Sequence, residues 1–546
     1  MGYQSQILRF RKKRQAEDRS TPLGTIGFLL AAVISILISV GVIFGVSRYA
    51  EITRDLPSPS ELEILLDPIS GSLLEPTRIF DRAGVRVLWR FENPSIEVRR
   101  YTAITDGETI FYSEIPQYLI LATLAAVDPD FFHRPNSFMA AIIDGGKDPF
   151  PETLVKDLLL WQESDQTYYE IRTQLLAGQI IATYGREKVL EWYLNSAYYG
   201  NQIYGAAQAA EYYFGKDVGD LNLGESALLA AVASYPALNP QDAPVAARDN
   251  QTQVLDQMAA AGFISSSEAE RAARARLIYA DTELSEDLSR PSFVSYLIDE
   301  AGEEIPQERL LRGGFKIIST LDSGLQDALS CTLDIMSERV YGQEPQLGSD
   351  CIAARLLPRY SGPFLEINDP LELALAVYDP IHGELLGMVG HTGTEDSPSL
   401  EKPRDPGSLI TTYLYLNAFT QGFGPASLVW DIPLPEDDFN SVDLHPGTGE
   451  EAEFLGPVSM RTALVNDLHS PAEQMLNAQG LPQLRSTLGL FGYSVPAVVN
   501  LDSTSSLKGP SLEMIDLLQG FGVFVNHGYL KGRVIDPSGL EVQPAF

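Results

Sequence analysis

The longest apolar stretch of the chain lies near its start. Residues Ser20 to Ser47 include no charged side chain, and the apolar core from Leu23 to Val46 is long enough to cross a hydrocarbon layer of roughly 30 Å. A helix buried in a soluble domain would carry polar residues on one face, so this pattern predicts a transmembrane helix. Neither a short apolar region nor a small-x-small cleavage site is clear, which favours a retained anchor over a signal peptide.

Beyond this anchor, the spacing of apolar residues is first helical and then changes. Between Ile115 and about Arg274, apolar residues recur at i, i+3 and i+4, which predicts an all-helical domain of roughly 160 residues. After Gly313 and Gly314, β-type runs mixed with helical segments predict a second domain of the α+β class. The predicted strands are 77–81, 315–320, 373–378 and 385–389, and the predicted helices of the second domain are 408–419 and 512–525.

Charge divides the chain at the anchor. The net charge of −34 argues against a nucleic-acid partner, because a polyanion would be repelled. Residues 1–48 nevertheless carry a local charge of +5, so the remaining 498 residues carry −39. Because basic residues flank membrane helices on the cytoplasmic side, we predict a cytoplasmic N-terminus and an extracytoplasmic location for the bulk of the chain, held in the cell membrane by a single pass.

The chain has two cysteines, Cys331 and Cys351. An extracytoplasmic location permits a disulfide between them. Two buried free thiols explain the same residues equally well, so the sequence leaves both alternatives open.

Motifs in both predicted domains occur in the order of a known family. The helical domain contains Glu191-Trp-Tyr-Leu-Asn195, Tyr199-Gly-Asn201, Tyr213-Phe-Gly-Lys216 and Leu223-Gly-Glu-Ser-Ala227. The second domain contains Gly313-Gly314, Thr320-Leu-Asp322, Val377-Tyr-Asp-Pro380 and Pro406-Gly-Ser408. Together these motifs resemble the family-51 peptidoglycan glycosyltransferase and transpeptidase domains of class A penicillin-binding proteins. The resemblance covers most of residues 75 to 546.

The resemblance implies a multidomain fold with one N-terminal transmembrane helix, an all-α lysozyme-like glycosyltransferase-51 domain and an α+β transpeptidase-like (serine β-lactamase-like) domain that is C-terminally incomplete. The predicted divisions are a cytoplasmic basic tail (1–22), the transmembrane anchor (23–48), a linker with a short β segment (49–104), the glycosyltransferase-51-like domain (105–275), a linker and junction region (276–370) and the transpeptidase-like domain (371–546). The late helical motifs are predicted to hold helices and turns together, with Asn195 and Gly200 as caps.

The first glycosyltransferase motif is altered where the family has its catalytic base. The family's Glu, which accepts the proton of the acceptor hydroxyl, is replaced by Asp128, whose side chain is one methylene shorter. A displacement of about 1 Å can reduce a rate roughly a hundredfold. The family's His and Gly are replaced by Pro135 and Ser137, and residues 145–152 replace its Gly-Gly-Ser-Thr-Ile-Thr-Gln-Gln motif. Asp128 is therefore a vestigial candidate for the base.

A leaving lipid-linked diphosphate requires cations, because negative charge develops on it. The family supplies cations and a second acid in an Arg-Lys-x-x-Glu motif, which aligns here with residues 169–173. Lys156 and Arg172 are the predicted substrate-binding residues. Thr173 stands at the position of the second acid and cannot replace a carboxylate.

The transpeptidase motifs show the same kind of loss. In the family, a nucleophilic Ser is activated by a Lys three residues later. Here the pair is Ser408, a vestigial candidate, and Thr411, which has no basic nitrogen; the Ser-x-Asn position reads Asp467-Leu-His469, and no Lys-Thr-Gly occurs before Phe546. Ser408, His469 and Asp467 are also the residue types of a serine-hydrolase triad, so a rewired hydrolase is a further hypothesis.

These departures predict a membrane-anchored, catalytically degenerate homologue of the peptidoglycan synthases that acts as a binding or scaffolding component. The alternative is an active, divergent glycosyltransferase that polymerises lipid-linked disaccharide-peptide with Asp128 and has an inactive transpeptidase domain. No cofactor is certain, and a divalent metal is expected only if the glycosyltransferase is active. The predicted partners are the lipid bilayer, lipid-linked precursor or glycan strands, and an active cell-wall synthase.

Overall fold

The computed structural model describes residues 22–93, 99–104, 115–134, 148–163, 167–280, 292–302, 305–343, 351–357, 360, 362–366, 371–392, 403–404, 406–433, 454–493 and 511–530. The chain divides into two units. The first comprises Met1–Pro76, Glu92–Leu284 and Glu308–Gly314, and the second comprises Thr77–Phe91, Ser285–Gln307 and Phe315–Phe546.

The first described element is a helix, α1 (Pro22–Ile52), that is long and apolar enough to cross a membrane. It is the single helix of this kind in the described part of the chain. The large apolar side chains between Phe28 and Val46 are all exposed. Exposing that much apolar surface to water is unfavourable at about 25 cal/mol per Å², and a hydrocarbon layer removes this penalty. The helix continues past the predicted end at residue 48, and Arg48 pairs with Glu51 at 2.7 Å in its last turns.

The rest of the first unit is helical, as the apolar spacing predicts. Its helices are α2 (Ser60–Leu65), α3 (Gln117–Val127), α4 (Pro149–Leu154), α5 (Tyr169–Ser196), α6 (Ala206–Phe214), α7 (Leu223–Ser234), α8 (Pro244–Ala260) and α9 (Ser266–Arg274). The core is rich in large aromatic side chains, and Trp192, Tyr199, Tyr212 and Tyr213 are at most 2% exposed. Gly215 ends α6 in the left-handed conformation (φ 62°), which glycine adopts without strain.

A second, alanine-rich core joins α3, α7, α8 and α9. The buried residues on α3 and α7 are mostly small: Ala122, Ala125, Ala227, Ala230 and Ala231. Small side chains let helix backbones approach closely, and α3 therefore packs directly on α7 and α8. This arrangement fixes the end of α3, where Asp128 follows.

The described residues of the second unit form three small sheets. Its strands are β1 (Thr77–Phe80), β2 (Val87–Phe91), β3 (Lys316–Ile318), β4 (Glu372–Asp379), β5 (Glu384–Thr392), β6 (Leu428–Asp431) and β7 (Gly456–Ser459). Strand β1 pairs with β2 in antiparallel and with β3 in parallel orientation, and the other pairs, β4 with β5 and β6 with β7, are antiparallel. Residues 77–91, predicted as part of the linker before the helical domain, thus belong with the second unit.

The second unit also contains helices: α10 (Ser292–Gly302), α12 (Ser323–Val340), α13 (Thr411–Thr420), α14 (Met460–Val465), α15 (His469–Gln479), α16 (Leu481–Leu490) and α17 (Met514–Val525). Helix α11 (Gln307–Arg312) belongs to the first unit from Glu308 onward. All four predicted strands and both predicted helices of this unit are found within a few residues of the predicted ends. In its described residues, the region predicted as linker and junction, 276–370, contains three α-helices, a strand and the 3₁₀ helix Ala353–Leu356. The domain boundaries themselves remain predictions.

Cys331 and Cys351 form a disulfide, with their Cα atoms 5.9 Å apart. The bond joins α12 to the segment that precedes the short 3₁₀ helix Ala353–Leu356, and Cys351 is buried beside Ile335 and Ala354. Of the two alternatives that the sequence leaves open, the structure therefore has the paired one.

Replacing Cys331 and Cys351 together by Ser is expected to lower the free energy of unfolding of the second unit by about 3 kcal/mol. On the chain-entropy model, a bond that closes a loop of about twenty residues restricts the unfolded chain by that amount. Denaturant unfolding of native and double-variant chains would measure the difference. Free thiols in the native protein under non-reducing mass spectrometry would contradict the pairing, and a loss below about 1 kcal/mol would contradict the magnitude.

Candidate functional site

Asp128 lies directly after α3 and is buried. Its backbone N–H donates to the carbonyl of Leu124 at 2.8 Å, which continues the helical hydrogen bonding, and its carboxylate is held at one end of the alanine-rich core. Arg134 donates from Nη2 to Oδ1 of Asp128 at 3.0 Å, and the N–H of Asp130 donates to the same oxygen at 3.2 Å. Burial raises the pKa of Asp128, whereas Arg134 acts in the opposite direction.

Asp128 belongs to a group of four alternating charges, here called the acid-arginine network, formed by Asp128, Arg134, Asp148 and Arg186. Asp148 Oδ1 is 3.8 Å from Arg134, and Asp148 Oδ2 accepts from Arg186 Nη1 at 2.8 Å. Arg186 also donates from Nε to the carbonyl of Arg134 at 3.1 Å. The candidate base is therefore tied to positive charge from the chain itself through Oδ1, whereas Oδ2 is buried and accepts no hydrogen bond from the described residues.

Replacing Asp148 by Ala is expected to lower the free energy of unfolding of the first unit by about 3 to 5 kcal/mol. The Arg186 side chain is 5% exposed, and removing one partner of a buried pair leaves an uncompensated charge. Adding Arg186→Met to this variant should recover part of the loss, because the charge is then removed as well.

The matched control is Glu270→Ala, which breaks an ion pair with Arg274 that is 3.2 Å long and largely exposed on both sides. Such surface pairs contribute at most about 1 kcal/mol. Urea unfolding of all four chains would measure these differences. Equal small losses for Asp148→Ala and Glu270→Ala would show that the network does not stabilise the unit.

One residue of the second glycosyltransferase motif, Phe150, belongs to an aromatic core. Gly145 to Lys147, as well as Pro135 and Ser137 of the first motif, lie outside the described residues. In the described part, Phe150 is fully buried, and its ring lies 4.8 Å from the ring of Phe131 on one side and 4.8 Å from that of Tyr193 on the other. Where the family motif has polar side chains, this chain thus has part of an aromatic core.

The predicted substrate-binding cations are paired with acids of the same unit. Lys156 Nζ is 3.3 Å from Glu170 Oε1. Arg172 forms an ion pair with Glu163, both side chains being less than 15% exposed, and it donates from Nη2 to the carbonyl of Arg54 at 2.8 Å. A diphosphate would have to displace these carboxylates before it could bind either cation.

Thr173 is fully buried, and its hydroxyl donates to the carbonyl of Tyr169 at 2.8 Å. This hydrogen bond lies within helix α5, so the side chain takes no part in a polar site. The position of the family's second acid therefore has a structural role here.

The structure does not bring the candidate base and the candidate cations into contact. Arg172, a candidate cation, and Arg186, a member of the acid-arginine network, lie on opposite sides of a break in α5 at Gly185 (φ 79°, ψ 165°). The described residues include no ion pair between Asp128 and Lys156 or Arg172.

Three members of the acid-arginine network were not identified from the sequence. Arg134 lies six residues after Asp128, so the sequence does show a basic residue that could pair with the candidate base. Asp148 falls within the altered second motif. Arg186 is distant in sequence, and no local pattern marks it as a partner of Asp148.

The retained late motifs hold the fold together. Glu191 is buried and accepts from the N–H of Ile104 at 2.7 Å and from Lys188 Nζ at 2.6 Å. Asn195 accepts from the N–H of Thr102 at 2.8 Å and donates to its carbonyl at 2.7 Å. Asn195 was predicted to cap a helix, but it instead fastens the segment at Thr102 to α5. The structural role predicted for these motifs is thus found through a different contact.

In the second unit, Ser408 lies in a 3₁₀ turn, Gly407–Ile410, that leads into α13. Ser408 is exposed, and Thr411 is buried one turn later. The Thr411 hydroxyl donates to the backbone carbonyl of Ser408 at 2.8 Å. The group that replaces the family's Lys is therefore occupied by a helical hydrogen bond and cannot take a proton from the Ser408 hydroxyl.

His469 begins α15, and Asp467 precedes it in the left-handed conformation (φ 50°). No hydrogen bond in the described part of the chain joins Ser408 to either residue. Among the described residues, no contact therefore joins these three side chains as a hydrolase triad would require, and the rewired-hydrolase hypothesis stays a prediction.

Comparisons with known proteins agree with the motifs. The Transglycosylase family profile matches residues 150–259. Penicillin-binding protein 1A of Aquifex aeolicus is 25% identical to this chain, over 95% of the chain and 77% of its own length. Penicillin-binding protein 1A of Rickettsia felis is 23% identical, over 86% of the chain and 68% of its own length. The chain is a homologue of the class A penicillin-binding proteins.

The solved structure of Penicillin-Binding Protein 1A from Haemophilus influenzae is 17% identical, matches 84% of this chain and 69% of its own, and gives a TM-score of 0.40. The fold class predicted for this class A penicillin-binding protein homologue is confirmed. The chain has an N-terminal apolar helix, an all-α unit that includes the Transglycosylase match, and an α+β unit. The apolar helix and the relatives also support a single-pass membrane anchor.

Proposed function

We propose that this class A penicillin-binding protein homologue is a catalytically inactive, membrane-anchored component of peptidoglycan biosynthesis that binds or scaffolds other members of the cell-wall machinery. Its N-terminus would lie in the cytoplasm and both described units outside, in agreement with the basic tail before α1. Its partners would be the bilayer, lipid-linked precursor or glycan strands, and an active cell-wall synthase.

The observation that carries this proposal is that each candidate cation is paired with a carboxylate of its own unit. Glycosyl transfer from a lipid diphosphate requires cations that pair more strongly with the leaving group as negative charge develops on it. Lys156 and Arg172 already have acidic partners in Glu170 and Glu163. In this arrangement, Glu170 and Glu163 pair with the cations that would otherwise bind the diphosphate of the substrate.

The second candidate function is a divergent glycosyltransferase that uses Asp128 as its base. One observation favours it, since burial raises the pKa of Asp128, and general bases work best with a pKa near the operating pH. The contact with Arg134 opposes this shift and pairs the carboxylate with a cation through Oδ1. A divalent metal would be expected only for this alternative. We therefore favour the inactive component.

Chemical cross-linking in intact cells, followed by mass spectrometry, tests the scaffolding role. We expect cross-links between the extracytoplasmic residues of this chain and an intact peptidoglycan synthase. A control chain that retains α1 alone should lose them. Cross-links that persist in this control would show that the anchor merely shares the membrane with the synthase, and the scaffolding proposal would then be wrong.

A further inference from the structure

A small cavity in the first unit is lined by arginine side chains. It is here called the arginine cavity, and its volume of about 10 Å³ is room for one species of about the size of a water molecule. Its lining includes Leu73, Arg99, Arg100, Ser196, Tyr204 and Arg312. None of these residues belongs to the acid-arginine network or to the predicted substrate-binding pair, so the function proposed above gives the cavity no role.

Arg99 holds two segments of the first unit together. Its guanidinium group donates to the carbonyls of Leu73 at 3.1 Å and of Leu311 at 3.5 Å, and also to the carbonyl of Arg312. These bonds join the end of α11 to the short 3₁₀ helix Ser72–Leu74. The acceptors are all neutral carbonyl groups, and the described residues form no ion pair with Arg99.

Three acids near the cavity are paired with its other two arginines. Arg312 donates from Nη2 to Asp157 Oδ2 at 2.6 Å, and Arg100 lies 3.0 Å from Glu211 and 3.7 Å from Asp217. The side chains of Arg100 and its two acids are each more than a third exposed, so water already screens their charges. These described acids therefore leave the charge of Arg99 without a direct counter-charge.

The surroundings of Arg99 disfavour a positive charge. Burial lowers the pKa of Arg99 to about 10, and Arg312 acts in the same direction, whereas Tyr204 and Glu92 oppose the shift. The Tyr204 ring lies 5.3 Å from Cζ of Arg99 and 5.4 Å from Cζ of Arg312, so both guanidinium groups share one aromatic partner. Arg309, which is 6% exposed, adds a further positive charge close to Arg312. An anion in the cavity would supply the missing negative charge.

We propose that the arginine cavity binds one small anion, and that this anion is chloride. Arg312 donates to the carbonyl of Ser196 at 2.8 Å and to Asp157, and a guanidinium group has more N–H groups than these two bonds use. The same holds for Arg99, so both side chains have donors left for an anion. The volume of the cavity suits a monatomic ion better than a phosphate or sulfate ion. Bound chloride would connect the end of α5 with the end of α11, independently of the proposed scaffolding function.

Thermal unfolding of the full chain in phosphatidylcholine nanodiscs tests this proposal. Sodium chloride is compared at equal ionic strength with sodium gluconate, whose anion is too large for the cavity. We expect chloride to raise the unfolding midpoint of the first unit by about 2 to 4 °C. This difference should disappear in Arg99→Met, which removes the charge and retains most of the side-chain volume. Arg274→Met, which removes one exposed positive charge of the same unit, should keep the full difference.

Chloride NMR provides a second readout that does not depend on stability. The native chain should broaden the chloride resonance more than Arg99→Met does, and more than Arg312→Lys, which keeps a positive charge beside Asp157 but loses the guanidinium donors. Far-UV circular dichroism would show that the variants fold, and Arg312→Lys serves both measurements if Arg99→Met does not.

Two results would overturn the chloride site. Equal midpoints in the two salts, without excess line broadening by the native chain, would show that the cavity holds water only. A chloride effect that persists in Arg99→Met and in Arg312→Lys would place the anion elsewhere on the chain. Neither result bears on the cross-linking expected for the scaffolding role, so the two proposals can fail separately.

Discussion

No glycan strands are expected when the full chain, purified with its anchor in lipid nanodiscs, is supplied with lipid-linked disaccharide-pentapeptide and a divalent metal. The expected rate is at least about 10⁴-fold below that of a polymerising synthase measured alongside. Two defects contribute: Asp128 is tied to Arg134, and the cations Lys156 and Arg172 are already paired. Losing one group that stabilises developing charge typically reduces a rate by roughly 10² to 10³.

Two variants make this first prediction sharp. Asp128→Asn should behave like the native chain, and so should Asp130→Asn, whose side chain is 82% exposed two residues away. Strand formation by the native chain that Asp128→Asn abolishes and Asp130→Asn leaves intact would establish the divergent glycosyltransferase. Gel electrophoresis of radiolabelled products would distinguish these outcomes.

Features set by local sequence could be predicted. A long uncharged apolar stretch is stable in a membrane as a helix. Helix α1 covers this stretch and extends four residues beyond the predicted end. The strand 77–81 was also found, as β1. Its partner β3 is more than two hundred residues away in sequence, and no periodicity reports such a distant pairing. Assignment of 77–91 to the second unit therefore required the structure.

The features of the candidate sites likewise include some that the sequence predicts and some that required the structure. The sequence alone shows that Thr173 and Thr411 lack the chemistry of a carboxylate and an amine. It does not show what each hydroxyl does, since the bonds to the carbonyls of Tyr169 and Ser408 depend on side-chain rotamers within a helical turn. Charge pairing is harder still: Arg186 reaches Asp148 only because α5 packs on α4. A charged residue that is retained in the sequence can thus be one member of a structural ion pair.

The absence of reaction with penicillin is the second large expected effect. Acylation requires that the Ser408 hydroxyl lose its proton as it attacks, and an unassisted hydroxyl is a poor nucleophile at neutral pH. Ser408 is exposed, so access does not limit the reaction. The limit is chemical, because Thr411 has no basic nitrogen and its hydroxyl donates to the carbonyl of Ser408 at 2.8 Å. Removing one member of a catalytic serine constellation lowers the rate by several orders of magnitude.

A fluorescent penicillin incubated with the full chain should therefore give no covalent label on a denaturing gel, while an intact penicillin-binding protein in the same tube is labelled. Thr411→Lys alone should not restore labelling. Position 411 is 5% exposed, so the new ammonium group would be partly desolvated. Desolvation would lower the pKa of the Lys side chain but would also destabilise the turn. In addition, His469 still stands where the family has Asn. Label on the native chain that Ser408→Ala removes would show a live nucleophile. In that event His469→Ala would decide between a residual transpeptidase site and a rewired hydrolase, since only the hydrolase depends on the imidazole as its base.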